Sequence, residues 1–252
     1  MSGGLFDLSG RLAVVTGARR GIGRAMAEAL AGAGADVIGV SAQLEDDSEV
    51  GRAVTAAGRR FEARRCDLAD ASAVAALGDE LAERAPDILV NNAGMIRRTP
   101  AIDHDLADWS AVLQVNLTAQ FALTQKVARP MLERGSGKVV FTASLLSFQG
   151  GVNVPGYTAA KSGIAGLTKA LANEWAPRGV NVNAIAPGYI ATDNTQALRD
   201  DPDRSRAILD RIPAGRWGRA SDIAGATVFL CGPASDYVDG VVLPVDGGWL
   251  GR

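Results

Sequence analysis

Few residues suited to metal or thiol chemistry occur in this chain. It has one histidine, His104, and two cysteines, Cys66 and Cys231, among 252 residues. A lone histidine set in Asp103-His104-Asp105 cannot build an ordinary zinc site and reads as a solvated helix start, so no metal is expected. The two cysteines lie far apart, with neither a CxxC pair nor a disulfide framework, which fits a reducing cytoplasm. Charge of one sign is also missing: 26 Lys and Arg against 28 Asp and Glu give a net charge of −2. Without a general positive field, nucleic acid and anionic membranes are not expected partners, and a small molecule is. No run of eighteen apolar residues occurs, and Met1 to Gly10 lacks a basic flank leading into an apolar stretch, so neither a membrane span nor an export signal is expected.

What the chain does have is 47% hydrophobic content, enough at this length for one large core over residues 1–252. Short β-branched runs, namely Leu12–Thr16, Val37–Val40, Ile88–Asn91, Lys138–Thr142, Val180–Ile185 and Val241–Val245, alternate with stretches of helical spacing. The helical stretches are Gly21–Ala33, Ser48–Ala57, Ala71–Ala85, Leu106–Glu133, Pro155–Ala176 and Ser221–Leu230. Parallel strands joined by helices predict an α/β fold, a Rossmann-type doubly wound sheet with ligands beyond the carboxyl ends of the strands. The polar stretch within 193–216 interrupts the alternation and reads as a substrate lid.

Two patterns carry chemistry. Gly17, Gly21 and Gly23 follow the first strand, where glycine lets the backbone approach a pyrophosphate at a helix N-terminus. Tyr157 and Lys161 are four residues apart and so share a helix face. A phenol titrates near 10, and a neighbouring cation can bring it toward neutrality, making it a usable acid and base.

Taken in order, Gly17-x-x-x-Gly21-x-Gly23, Asn91-Asn92-Ala93-Gly94, Asn116, Ser144, Tyr157-x-x-x-Lys161 and Pro187-Gly188 resemble the motifs of the short-chain dehydrogenases/reductases. The resemblance implies a homotetramer of Rossmann-type domains using NAD(H) or NADP(H). It implies catalysis by Asn116, Ser144, Tyr157 and Lys161: the tyrosine passes the proton, the lysine tunes it, the serine holds the reacting oxygen and the asparagine holds a relay water. It places Gly17, Arg19, Arg20, Gly21, Ile22, Gly23, Ser41, Asp67, Leu68, Asn92, Ala93, Gly94, Pro187, Gly188, Ile190 and Thr192 around the dinucleotide. A helix cap is the plain alternative for Asp67. The second strand ends in Ser41 rather than an acidic residue, so the usual NAD marker is missing, while Arg20 resembles the basic residue of NADP-using members. The choice stands at NAD, with NADP nearly as well supported.

Other stretches, including Met95-Ile96-Arg97-Arg98, Ser147-Phe148-Gln149-Gly150-Gly151 and Ala191–Gln196, resemble the branch of 2-dehydro-3-deoxy-D-gluconate 5-dehydrogenases, also known as 2-deoxy-D-gluconate 3-dehydrogenases. Members of that branch usually lack an arginine at the place of Arg20 and favour NAD(H). The branch implies a hexonate sugar-acid substrate. Arg97 is then the expected partner of the carboxylate, with Gln149, Asn194 and Gln196 for the hydroxyls beside Ser144 and Tyr157. Competing expectations are a 3-oxoacyl-carrier-protein reductase and a dinucleotide-sensing protein without catalysis.

Overall fold

The computed structural model of the chain describes residues 4–252. Seven parallel strands form one sheet: β1 (Leu12–Thr16), β2 (Asp36–Ser41), β3 (Phe61–Arg65), β4 (Ile88–Asn91), β5 (Gly137–Thr142), β6 (Val180–Pro187) and β7 (Val242–Val245). Their order is β3-β2-β1-β4-β5-β6-β7. The chain thus starts at β1, winds outward through β2 and β3, and returns to lay β4 on the other side of β1. That reversal opens a crevice beyond the carboxyl ends of β1 and β4, where ligands of such sheets bind.

Alternation along each strand supplies both helical layers. Val14 faces one core cluster with Leu89, Leu123 and Ile164, while Ala13 and Val15 face the other with Met26 and Leu30. The first cluster is covered by α3 (Ala71–Arg84), α5 (Ala119–Arg134) and α6 (Pro155–Trp175), the second by α1 (Gly21–Gly32), α2 (Glu49–Ala56) and α9 (Ala224–Cys231).

Three features depart from the sequence expectation. β3 was not expected, because Phe-Glu-Ala-Arg-Arg carries charge in place of a buried run. It is an edge strand, whose charges are satisfied by pairs such as Arg84 with Glu62 at 2.7 Å. The long helix over Leu106–Glu133 is interrupted: α4 (Leu106–Leu113) passes into α5 through a π turn at Gln114–Thr118. Lastly, the lid is largely helical, with α7 (Gln196–Asp200) and α8 (Pro202–Leu209), the latter capped by Asp201. Outside the lid, His104 also differs, for both its ring nitrogens are shielded without a hydrogen-bond partner rather than solvated. No helix among the described residues is long and apolar enough to cross a membrane.

Candidate active site

A cleft of about 1050 Å³ runs along the carboxyl edge of the sheet, from Ser41 and Asp67 at one end to Arg204, Arg211 and Trp249 at the other. That is the upper end of the range for small-molecule sites, roomy enough for a dinucleotide and a small substrate together.

Its floor is fixed by backbone geometry. Gly17 has φ +69°, and a Cβ there would lie 2.9 Å from the Ala93 backbone. At Gly23 a Cβ would collide with the Gly17 carbonyl. Only glycine lets the turn fold this tightly onto the start of α1. The N-cap of α1, Arg20, makes no side-chain cap bond, and the first turn holds no acidic residue, so the leading N–H groups remain free for an anion. Thr16 Oγ1 accepts from the backbone N–H groups of Asn92 and Ala93, each at 3.0 Å, and Asn92 Nδ2 donates back to the Thr16 carbonyl at 3.0 Å. These bonds lock the ends of β1 and β4 together across the crevice. The residues present therefore fit a bound dinucleotide.

Asp67 lines the cleft, and the capping alternative falls to another residue: Asp70 caps α3 by accepting from the Ser72 and Ala73 N–H groups. Gly17, Arg19, Arg20, Gly21, Ile22, Gly23, Ser41, Leu68, Asn92, Ala93, Gly94, Pro187, Gly188, Ile190 and Thr192 also line it. The two arginines diverge. Arg19 donates to Gln43 at 3.1 Å, beside Ser41 at the end of β2, whereas Arg20 crosses the glycine turn to pair with Asp193 at 2.6 Å, at the start of the lid.

The residues expected to be catalytic, Ser144, Tyr157 and Lys161, come from two elements that meet at the cleft. Ser144 stands two residues beyond β5 and caps a short 3-10 turn at Leu145–Ser147. Pro155 opens α6, as suits a residue whose missing N–H would go unused there, and this puts Tyr157 in the first helical turn and Lys161 one turn on. Helix α6 begins beside the cleft, so its partial positive end favours phenolate by about 0.3–1 kcal/mol. Lys161 is only 2% exposed and donates to the Thr142 carbonyl at 2.6 Å, with its ammonium 5.6 Å from the centre of the Tyr157 ring. Ser147 Oγ donates to the Lys161 carbonyl at 2.6 Å, tying the 3-10 turn to the helix.

Burial lowers Lys161 from the usual lysine value to about 8. It raises the Tyr157 phenol above its ordinary value, against which the Ser144 hydroxyl and the Arg98 charge act. With the Lys161 ammonium committed to Thr142, the opposing influences come from Ser144 and Arg98.

Asn116 is bonded to the neighbouring loop. Its side chain is fully buried in the π turn, where Nδ2 donates to the Val112 and Met95 carbonyls at 2.8 Å and Oδ1 accepts from the Met95 N–H at 3.2 Å. The amide holds the loop after β4 in place: both of its N–H groups are used, and Oδ1 keeps one lone pair.

The substrate candidates divide. Gln149 and Asn194 line the cleft with Ser144 and Tyr157. Arg97 does not: it turns away to pair with Asp108 at 3.2 Å. Gln196 is likewise turned aside, donating to Asp200 at 2.6 Å. The arginine in the cleft is the next residue, Arg98, whose guanidinium donates to the Asn194 carbonyl at 3.1 Å. Along an extended loop successive side chains point to opposite sides, so one residue decides which arginine faces the substrate. Arg204 and Arg211, not anticipated, enter from the lid, and neither has a carboxylate partner among the described residues. Arg211 sits over the Trp249 ring at 4.1 Å, and Tyr189 packs against the same ring at 4.7 Å. Their signal was the charge mixture of the lid, which sequence alone cannot sort by direction.

Proteins of similar sequence and structure are known. Residues 17–250 match a family model described as enoyl-(acyl carrier protein) reductase. The chain is 55% identical over 250 residues, 98% of each protein, to the 2-dehydro-3-deoxy-D-gluconate 5-dehydrogenase of Pseudoalteromonas atlantica. It is 55% identical over 248 residues to the protein of the same name from Bacillus subtilis, covering 98% of this chain and 97% of that one. A solved structure from Agrobacterium tumefaciens, provisionally described as a 2-deoxy-D-gluconate 3-dehydrogenase and carrying bound NADP, is 54% identical and superposes with a TM-score of 0.94 over 99% of this chain and 100% of that one. With its parallel sheet, glycine turn and Ser-Tyr-Lys group in place, the chain belongs to the short-chain dehydrogenase/reductase family of oxidoreductases.

Proposed function

We propose that the protein is an NAD(P)-dependent dehydrogenase of hexonate sugar acids, interconverting a secondary alcohol and a ketone on a substrate of the 2-dehydro-3-deoxy-D-gluconate or 2-deoxy-D-gluconate type. The observation that carries this reading is one cleft shared by Ser144, Tyr157 and Lys161 and by three arginines, Arg98, Arg204 and Arg211. The names of the relatives above support the same substrate class. A reductase of carrier-bound 3-oxoacyl thioesters would use cations to dock the acidic carrier at the surface, whereas these three arginines line the cleft itself.

When bound, the dinucleotide gives or takes the hydride at its nicotinamide. The free N–H groups at the start of α1 would hold its pyrophosphate, Asp67 and Leu68 its adenine side, and Pro187, Gly188, Ile190 and Thr192 its nicotinamide end. Both dinucleotides are accepted in this reading. β2 ends in Ser41 rather than in a carboxylate that would repel a 2′-phosphate, and Arg19 leans over the end of that strand, while Arg20 is engaged by Asp193.

Tyr157 moves the proton at its phenolic oxygen: in oxidation it accepts the proton of the substrate hydroxyl, and in reduction it returns one to the carbonyl oxygen. The Ser144 hydroxyl, already directed at the phenol, donates to that same oxygen and spreads the charge that develops on it. Arg98 pairs with the carboxylate and, through its bond to the Asn194 carbonyl, draws the lid toward the occupied cleft. Asn116 is a positioning residue for the loop that carries Arg98. Free, buried cysteines support a cytoplasmic setting, and exposed Leu106 and Phe121 on α4 and α5 support a homotetramer, to be read by light scattering.

The test is a panel of 2-dehydro-3-deoxy-D-gluconate, 2-deoxy-D-gluconate and an acetoacetyl thioester with each dinucleotide. Turnover of a hexonate at the highest kcat/KM is the expected result. Robust thioester reduction with no hexonate activity would overturn the substrate class.

A further inference from the structure

Trp249 is 4% exposed although it lies three residues from the end of the chain. Asp246 holds it there: its carboxylate accepts from the Gly248 and Leu250 N–H groups, each at 2.9 Å, and Gly248 takes φ +91° to let the chain turn. The indole is held between Tyr189 and the Arg211 guanidinium, in a cluster with Leu145, Ile208 and Ile212. Its one polar atom donates to Gln149 Oε1 at 3.2 Å.

That bond has a direction. An indole N–H can only donate, so the carboxamide must present its oxygen to Trp249 and its nitrogen away from it. Gln149 Nε2 has no acceptor among the described residues, and Gln149 lines the cleft with Ser144 and Tyr157. Without Trp249 the amide could turn over and offer either end. With it, only donors reach the cleft.

We propose that Trp249 is a positioning residue that fixes the Gln149 carboxamide with its N–H groups toward the cleft, making Gln149 a donor-only contact for an accepting oxygen of the substrate, a keto or carboxylate oxygen. The proposal rests on the reading of this cleft as a sugar-acid site and adds the residues that select for an acceptor at this point. A substrate lacking that oxygen gains nothing from either residue.

Four variants test it: Trp249→Phe, which keeps a ring but loses the N–H, Gln149→Ala, the double variant, and Gln149→Glu. Trp249→Phe should lower kcat/KM for 2-dehydro-3-deoxy-D-gluconate about threefold to tenfold, mainly through KM, the size of one neutral hydrogen bond. Gln149→Ala should do the same, and the double variant should be no worse than Gln149→Ala. Gln149→Glu still accepts from the indole but turns a negative oxygen toward the cleft, so it should lose more than Gln149→Ala. Equal losses from Trp249→Phe in the presence and absence of Gln149, or wild-type activity of Gln149→Glu, would overturn the proposal. Exchange of the Trp249 indole N–H with deuterated solvent reads the contact without substrate: slow in the wild type, fast in Gln149→Ala. An unchanged exchange rate would overturn the proposal even in an active enzyme, whereas failure of the wild type on every hexonate would overturn only the substrate reading.

Discussion

The two halves of the cleft are built on different terms. The half over β1 and β4 is finished before any ligand arrives: Thr16, Asn92 and Ala93 bond one another, both Asn116 amide hydrogens are used, and Gly17 and Gly23 leave no room for a side chain. The lid half is unfinished. Among the described residues Arg204 and Arg211 have no carboxylate, Arg98 has only the Asn194 carbonyl, and the segment expected as a lid joins the glycine turn through Arg20 and Asp193, a pair of exposed side chains. Exposed pairs of this kind contribute about 0–1 kcal/mol, so this segment is held chiefly by Ile208 and Ile212, buried against Leu145 and Trp249. The polar groups of the first half are bonded to one another, whereas the arginines of the second leave their charge to the cleft.

Four measurements break or sharpen this contrast. The largest effect belongs to the junction of the halves: Tyr157→Phe should lower kcat at least about 10²-fold, with dinucleotide affinity and melting temperature near wild type. Retention of a tenth of the turnover would remove the phenol from the proton path.

Next is the buried amine of the rigid half. The folded-state pKa of Lys161, about 8, lies below the ordinary 10.5. Between those values the unfolded chain binds more protons than the folded one, so wild-type stability rises with pH across the window, by about 3 kcal/mol in all. Lys161→Met lacks that gain. In denaturant titrations its stability relative to wild type should fall as pH rises from 8 to 10.5, and parallel curves would show that the ammonium is not desolvated.

On the lid side, Arg98→Ala should cost about 10–100-fold in kcat/KM for the sugar acid, with little change for an uncharged polyol, as for a lost charge-assisted contact. Arg97→Ala should be nearly silent. Equal losses for both variants would erase the distinction drawn between these neighbours. The smallest effect is expected at the dinucleotide: Arg19→Ala should raise KM for NADP about tenfold and leave KM for NAD unchanged, within the range for a charged hydrogen bond. Arg20→Ala should leave the NADP to NAD ratio near wild type. The reverse pattern would return the 2′-phosphate to Arg20.

The same division explains what the sequence made legible. Six strands, the glycine turn and the spacing of Tyr157 and Lys161 could be read directly because backbone conformation and helical spacing impose residue types at fixed intervals, whereas Ser144 came only with the family resemblance. β3 was hidden because an edge strand is free to carry Glu62, Arg64 and Arg65. The π turn was hidden because the extra residue at Gln114–Thr118 leaves the helical pattern nearly unchanged. Arg97 was preferred over Arg98 because composition gives no sense of direction along a loop. Arg211 and Trp249 meet only after the chain has folded back from its end.

The seclusion of Lys161 also governs which chemistry the cleft does not perform. An amine titrating near 8 is about one-tenth unprotonated at pH 7, and an exposed amine of that kind could condense with a ketone to form an imine. Lys161 is 2% exposed and its nitrogen donates to the Thr142 carbonyl, which draws it away from the open cleft. In the proposed reaction the phenol meets the substrate, and the same seclusion keeps the lysine's lone pair out of carbonyl chemistry.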